Sequence, residues 1–401
     1  MVTHRRPSAL RTLTLMFALL AALCLVLGAV LSDARAQTAP QYTFTKVADS
    51  VEDGFVSFGC AAINNRGDIA FGAERLASDG FNTDPGIYRV NAADGALTTI
   101  AEDPKRFVTI GLNPSINDSG HVSFAARLDG GKKPDTEVIL RGGGRKLTTI
   151  ATTADRFNFF GFDTSINNSG EVAFTAELDE EFGFDEGLFS GSGGKRGVTT
   201  HYLTSTSQFD GRSSRPSIND SGNIAFVESV DFASGIFVGR EGDFTPIVPP
   251  DSSDPSIGLG VPILNNDGTV AFQRSFSDEA TQEFVEEIVK IDAAGTSTVV
   301  ADTRGEFATF GFRPPSLNNN GDVAFLATLD DFSTTGIFVG PDPSNDRVIS
   351  TGDMLDGSTV QNITFCEEGL SDTGELAFVA QLEADTPDGF RTAVFRATPV
   401  P

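Results

Sequence analysis

Short apolar runs recur along this chain at a near-constant interval, and each is opened by a polar turn. The run is Val or Ile, then Ala, then Phe; the turn before it is Asn-Asn-Xaa-Gly. The unit reads Asn64-Asn65-Arg66-Gly67-Asp68-Ile69-Ala70-Phe71 at its first appearance. It returns over 117–124, 167–174, 219–226, 265–272 and 318–325, with a degraded copy, Ser-Asp-Thr-Gly-Glu-Leu-Ala-Phe, over 371–378. Asn and Asp bond their own backbone in turns, and Gly takes positive φ without steric cost. The β-branched, small and aromatic residues that follow suit a pleated buried strand. Each copy therefore predicts a hairpin turn running into a strand.

Three further strand signals accompany each copy. One precedes the turn, as in 111–117. One follows as Gly-Ile-Phe or a variant, at 86–88, 187–189, 235–237 and 336–338. The last is Leu-Thr-Thr-Ile-Ala, at 97–101 and 147–151, with a relative at 298–301. The turn glycines lie 46 to 53 residues apart. Four short strands at such a period are the mark of a propeller blade. Pro114, Pro216, Pro262 and Pro315 stand just ahead of the turn. Proline cannot donate to a ladder, so this strand is expected at an edge, lining a central channel. The next position is small in six of seven units (Ala62, Ser115, Ser165, Ser217, Ser316 and Gly369, against Ile263), as crowding at the axis requires. The expected fold is an all-β, seven-bladed β-propeller of four-stranded antiparallel blades. Residues 44–48 match an outer strand but precede the first full unit, while the last unit stops at its third strand, 392–395. The N-terminal strand is thus expected to complete the last blade and close the ring. An open solenoid gives no reason for such complementary ends.

Residues 1–36 are expected to be a signal peptide: a basic start with Arg5, Arg6 and Arg11, an apolar run over 13–31, and Ala34-Arg35-Ala36 as a cleavage pattern. Residues 37–401 then form one propeller domain in an exported protein, with no stable membrane insertion after cleavage. The formal net charge of −26 argues against nucleic acid and anionic membrane partners. Cys60 and Cys366 lie in the inner strands of the first and last units, which are neighbours in a closed ring. They are a disulfide candidate, with two free buried thiols as the alternative.

Recognised chemistry is sparse. The glycine-rich turn at Gly194-Lys195 lacks phosphate-loop spacing and reads as a hairpin. His121 and His201 are the only histidines beyond the leader, which argues against a histidine-based zinc site or a Ser-His triad. Arg66-Gly67-Asp68 spells an adhesion tripeptide, and Asn117, Asn167 and Asn219 open glycosylation sequons. All four fall out of the turn motif. The Asn/Asp turns lack the alternating acidic series of a calcium loop, so no cofactor is expected, with calcium the open alternative. No residue stands out as catalytic and none as a metal ligand. What varies from unit to unit is the polar set ahead of the Pro-Ser step: Asn113, Asp163, Arg212, Arg215, Arg313, Glu367 and Glu368. Variable polar groups on a constant frame are what a binding mouth looks like.

The seven copies, five of them strictly Asn-Xaa-Xaa-Gly-Xaa-Xaa-Ala-Phe with Ser123 for Ala in the second and Ser371 for Asn in the last, resemble the tandem NxxGxxAF-repeat, "choice-of-anchor" proteins of bacteria. That resemblance implies an exported, propeller-like protein with no assigned activity. The C-terminal sorting segment of many such proteins has no counterpart in 397–401, so release is the simpler expectation. The expected function is binding of a glycan, a protein or another envelope component by a monomer. Two alternatives stay open: a polysaccharide lyase or hydrolase using carboxylates and Arg in the funnel, and a structural envelope or matrix protein.

Overall fold

The computed structural model describes residues 42–400 apart from 184, 195–196, 212–214, 252–257 and 279. The leader expected over 1–36, the lysine of the Gly194-Lys195 turn, and Arg212 lie outside the described residues. Seven antiparallel sheets are arranged as the blades of a propeller. Blade III shows the plan: Phe157–Ile166 innermost, then Val172–Leu178 carrying the motif Phe, Glu186–Gly191, and Val198–Leu203 outermost. The strand Tyr42–Asp49 pairs with Phe390–Pro399 and supplies the outer strand of blade VII, so the ring is closed by its two ends. No helix of the described residues is long and apolar enough to cross a membrane.

The Ala-Phe step of the motif explains how blades stack. Neighbouring strand positions face opposite sides of a sheet. In each blade the motif Phe therefore turns to the preceding neighbour and the residue before it, Ala in six blades and Ser123 in the second, to the next. Phe174 and its cross-strand partner Phe189 are stacked at 5.9 Å, and they pack on Ala125 and Ile139 of blade II. Ala173 and Leu188 on the other face receive Phe226 and Phe237 of blade IV. The same large-into-small contact closes the ring, where Ala377 and Val394 of blade VII meet Phe71 and Tyr88 of blade I. Seven seams of this kind form a core distributed around the axis.

The inner strands depart from simple pairing. Phe107–Ile110 and Ser115–Ile116 both pair with Val122–Leu128, and Pro114 sits in the break between them. Pro262 and Pro315 hold the same place in blades V and VI. The prolines thus mark a bulge toward the channel, not an unbroken edge strand. Smallness is also only part of the reason for serine after them. Ser115 Oγ accepts the Ile166 N–H at 3.0 Å, Ser165 that of Ile218 at 3.2 Å, Ser217 that of Leu264 at 3.0 Å and Ser316 that of Leu370 at 3.0 Å. Each hydroxyl satisfies a buried backbone donor on the next blade.

The two asparagines of the turn work in the same direction. The first is buried: its Oδ1 accepts its own turn's amides, and its Nδ2 donates to the first-position carbonyl of the next blade. That donation runs from Asn64 to Asn117, Asn167, Asn219, Asn265, Asn318 and finally Ser371, at 3.0–3.2 Å. The second-position backbone N–H donates to the second-position side chain of the next blade. Asn65, Asp118, Asn168, Asp220, Asn266, Asn319 and Asp372 are linked in turn, and Asp372 donates back to Asn65 at 2.8 Å. No two aspartates are neighbours in this seven-membered ring, so no carboxylate faces another. The degraded seventh copy receives its links at the Ser371 carbonyl and the Asp372 carboxylate and gives one through the Asp372 N–H, while Ser371 has no side-chain amide to donate to the Asn64 carbonyl.

The closing strand is also fixed by charge. Asp49 is fully buried and accepts the N–H groups of Val51 and Glu52 at 2.8 and 3.2 Å. Arg391 spans Asp49 and Asp356, and Lys46 reaches Asp356 at 3.1 Å. These contacts hold the two chain ends together within blade VII.

Replacing one buried motif amide should cost the whole ring. Asn219→Ala removes the donor to Asn265 and leaves the Ser221 and Asn223 N–H groups without their acceptor. We expect a loss of about 3 kcal/mol in urea denaturation, since each buried group left unsatisfied costs roughly 1–3 kcal/mol.

Candidate functional site

The channel has two dissimilar ends. At one end the Asn/Asp ring encircles a cavity of about 150 Å³, lined also by the apolar residues just ahead of each turn and by Glu367 and Glu368. At the other, two depressions of about 420 and 700 Å³ share Val261, Phe312, Arg313 and Pro314. The smaller of these is bordered by Asn113, Asp163, Arg215, Arg313 and Glu367. Five of the seven residues expected at the mouth therefore line one cavity. Glu368 adjoins it through Arg215 and faces the axial cavity, and Arg212 is outside the described residues.

Arg215 is the centre of this cluster. It is almost fully buried and ion-paired with Glu367, with its Nη1 3.4 Å from Asp163 and its Nη2 3.7 Å from Glu368. It belongs to blade IV, where only Pro216 separates it from the short inner strand Ser217–Ile218. Asn113 donates to Asp163 at 3.1 Å and links blades II and III at the rim. Burial by itself would lower the basicity of Arg215, but Glu367, Glu368 and Asp163 outweigh it and hold it firmly protonated. Burial pushes the Glu368 carboxyl up to about 7, with Glu367 adding to the rise. Arg215 and hydrogen bonds from Ser115 and the Ile116 N–H oppose it. The Ile116 N–H needs Glu368 because Ala62, at the place of serine in blade I, has no hydroxyl to offer.

Aromatic residues complete the mouth. Phe162 and Phe312 border the smaller depression, Phe312 and Phe232 the larger, and all three are strongly exposed. An exposed phenylalanine leaves apolar surface in water, and three of them border these two depressions. The signal for two of them is present in the sequence as Gly161-Phe162-Asp163 and Gly311-Phe312-Arg313. Glu228 forms part of the wall of the larger depression; burial raises its carboxyl, and Tyr202 donates to it at 2.6 Å. Arg313 makes no ion pair among the described residues, unlike Arg215.

The remaining motifs are absorbed by the frame. Asp68 of the Arg-Gly-Asp tripeptide is buried and accepts the Ala92 N–H at 3.0 Å. The sequon residues Asn117, Asn167 and Asn219 are each about 95 % buried with the amide nitrogen already donating, which leaves no free acceptor for a sugar. The turn oxygens that resembled calcium ligands accept amides of their own loops, as in Asn265 Oδ1 with Asp267 and Thr269. His201 bonds Ser190 at 2.9 Å on the outer strand of blade III, far along the blade from the inner-strand residues. Cys60 and Cys366 are bonded across the seam between blades I and VII, with Cα atoms 5.9 Å apart.

Residues 238–399 match the model of a family of unknown function, DUF7453. No curated protein matches the chain. Solved structures share the architecture. The β-propeller domain of the trilobed protease from Pyrococcus furiosus superposes with a TM-score of 0.53 at 10 % identity, covering 84 % of this chain and 93 % of that one. An oligogalacturonate lyase solved in complex with manganese gives 0.53 at 11 %, covering 90 % and 98 %. The acylaminoacyl peptidase of Pyrococcus horikoshii gives 0.51 at 11 %, covering 85 % of this chain and 51 % of that one. At such identities the likeness is one of fold.

The raised carboxyl makes a prediction about pH. A carboxyl whose folded pKa lies above its unfolded value stabilises the fold fully only below the unfolded value, and that contribution is lost as pH rises toward 7. Glu368→Gln keeps an acceptor for Ile116 but cannot ionise. The variant should gain on the wild type between about pH 4.5 and 7, by up to roughly 1–3 kcal/mol. Thermal melts across that range check it; a constant difference contradicts the assignment.

Proposed function

We propose that the protein is an exported, monomeric binding module that takes a glycan at the mouth opposite the Asn/Asp ring. The carrying observation is the convergence of Phe162, Phe312, Arg313, Asp163 and Asn113 on one open depression. A sugar presents C–H faces and fixed hydroxyls. Aromatic rings cover the first, while Arg and carboxamide or carboxylate groups bind the second in planar pairs. Arg313 is the cation at this rim that pairs with no carboxylate of the described chain, which favours a glycan carrying acidic groups. The family match and the structural neighbours are compatible with this reading without specifying it.

A lyase or hydrolase working in the funnel behind this mouth, where Glu368 borders the axial cavity, is the second reading. It is favoured by one observation: Glu368, held near neutrality, stands beside a buried Arg. A carboxyl poised there could move a proton at working pH. Turnover of acidic or neutral polysaccharide by the purified protein distinguishes the two.

Binding to a panel of acidic and neutral glycans, read by calorimetry, tests the main proposal. Phe312→Ala and Arg313→Ala are expected to weaken the best ligand tenfold or more, since each removes about 1.4 kcal/mol or more. Both residues are exposed at the rim, so the variants should melt with the wild type. Unchanged affinity in both excludes this mouth.

A further inference from the structure

The residue after Cys366 carries a group that the propeller frame does not explain. Glu367 is 3 % exposed, as are Cys60 and Cys366. One of its carboxylate oxygens lies within 4.8 Å of both sulfurs, and all three donor atoms are this close to one another. Arg215, reaching across from blade IV, holds Oε1. Oε2 is buried and has no hydrogen-bond partner among the described residues. An orphaned carboxylate oxygen costs a large part of its hydration. The adjacent disulfide cannot relieve it, because bridged sulfurs carry no proton to donate.

Two free cysteines would change this. As thiolates they and Glu367 make a three-ligand set of two sulfurs and one oxygen from two blades. This is a ligand type and number suited to a tetrahedral zinc-class ion with water in the fourth position. Thiolates select against calcium and magnesium. Arg215 holds Oε1 of this carboxylate, as outer-shell partners of metal ligands do. Glu367 borders both the axial cavity and the mouth, which gives water and an ion a path to it.

We propose that the clasp between blades I and VII has two forms: the Cys60–Cys366 disulfide, and a Cys60–Cys366–Glu367 site for a zinc-class divalent ion formed after reduction by a dithiol. In the conversion the dithiol delivers two electrons and two protons to the S–S bond and leaves as its own cyclic disulfide. The metal then displaces the two thiol protons to solvent and spans the same seam.

The test uses the full folded protein, reduced with dithiothreitol, freed of it without oxygen, and titrated with cobalt(II). Reduced wild type is expected to take about one equivalent with sulfur-to-cobalt charge-transfer absorption, and zinc should displace it. The oxidised protein and the Cys60→Ser/Cys366→Ser variant should show no such band. Glu367→Gln should weaken cobalt binding at least tenfold. Should that variant fail to fold, Glu367→Asp keeps a carboxylate set back by one methylene, and should bind more weakly with the same bands. Absence of the thiolate–cobalt band in the reduced wild type overturns the proposal. So does unchanged affinity in either Glu367 variant.

Discussion

The structure depends on hydrogen bonds that run from blade to blade at the Asn turns. A blade alone has a large apolar face on either side and cannot stand in water. Its motif supplies everything needed to join the next one: a buried amide, an Asx acceptor, and an Ala opposite a Phe. The second-position bond repeats in all seven links, and that chain of bonds is satisfied only when it returns to its start. Asp372 donating to Asn65 is that return. The strand Tyr42–Asp49, bolted by Asp49, Arg391 and Asp356, makes the same closure at the rim of blade VII.

A frame fixed at one end of the channel leaves the other free to vary. The bulge of the inner strand, pinned by proline ahead of a hydroxyl that serves the next blade, carries residues with no part in the ring. Those residues vary around the ring: Asn113, Asp163, Arg215, Arg313 and Glu367 meet there with Phe162 and Phe312. The cluster has three carboxylates around the buried Arg215. Burial, with Glu367 beside it, drives Glu368 toward the neutral form, and Glu367 keeps one oxygen unsatisfied.

Much of this was legible in the sequence. Seven glycine-centred turns and the unmatched ends at 44–48 and 392–395 gave blade number, strand order and closure, because a repeat that must bury both faces has few ways to do so. The residues that gather at the smaller depression are the ones singled out in the sequence by their place ahead of the turn. What was not legible depends on the ring in three dimensions. Arg215 reaches Glu367 across the channel from a blade that is not its neighbour, and no sequence spacing encodes that. Serine after proline read as smallness, since its acceptor role appears only when the next blade is in place. Phe162 and Phe312 are not singled out by the sequence pattern, because alternation does not distinguish a core phenylalanine from one lifted out by a bulge.

Native-state hydrogen exchange of the ring amides tests the central claim most directly. The backbone N–H groups of Asn65, Asp118, Asn168, Asp220, Asn266, Asn319 and Asp372 lie in seven different blades, some of them near solvent, and each closes a link. If the ring is one cooperative unit, all seven should exchange with one common free energy, that of global unfolding. Seven separate values, with blades opening one at a time below the global value, would contradict it.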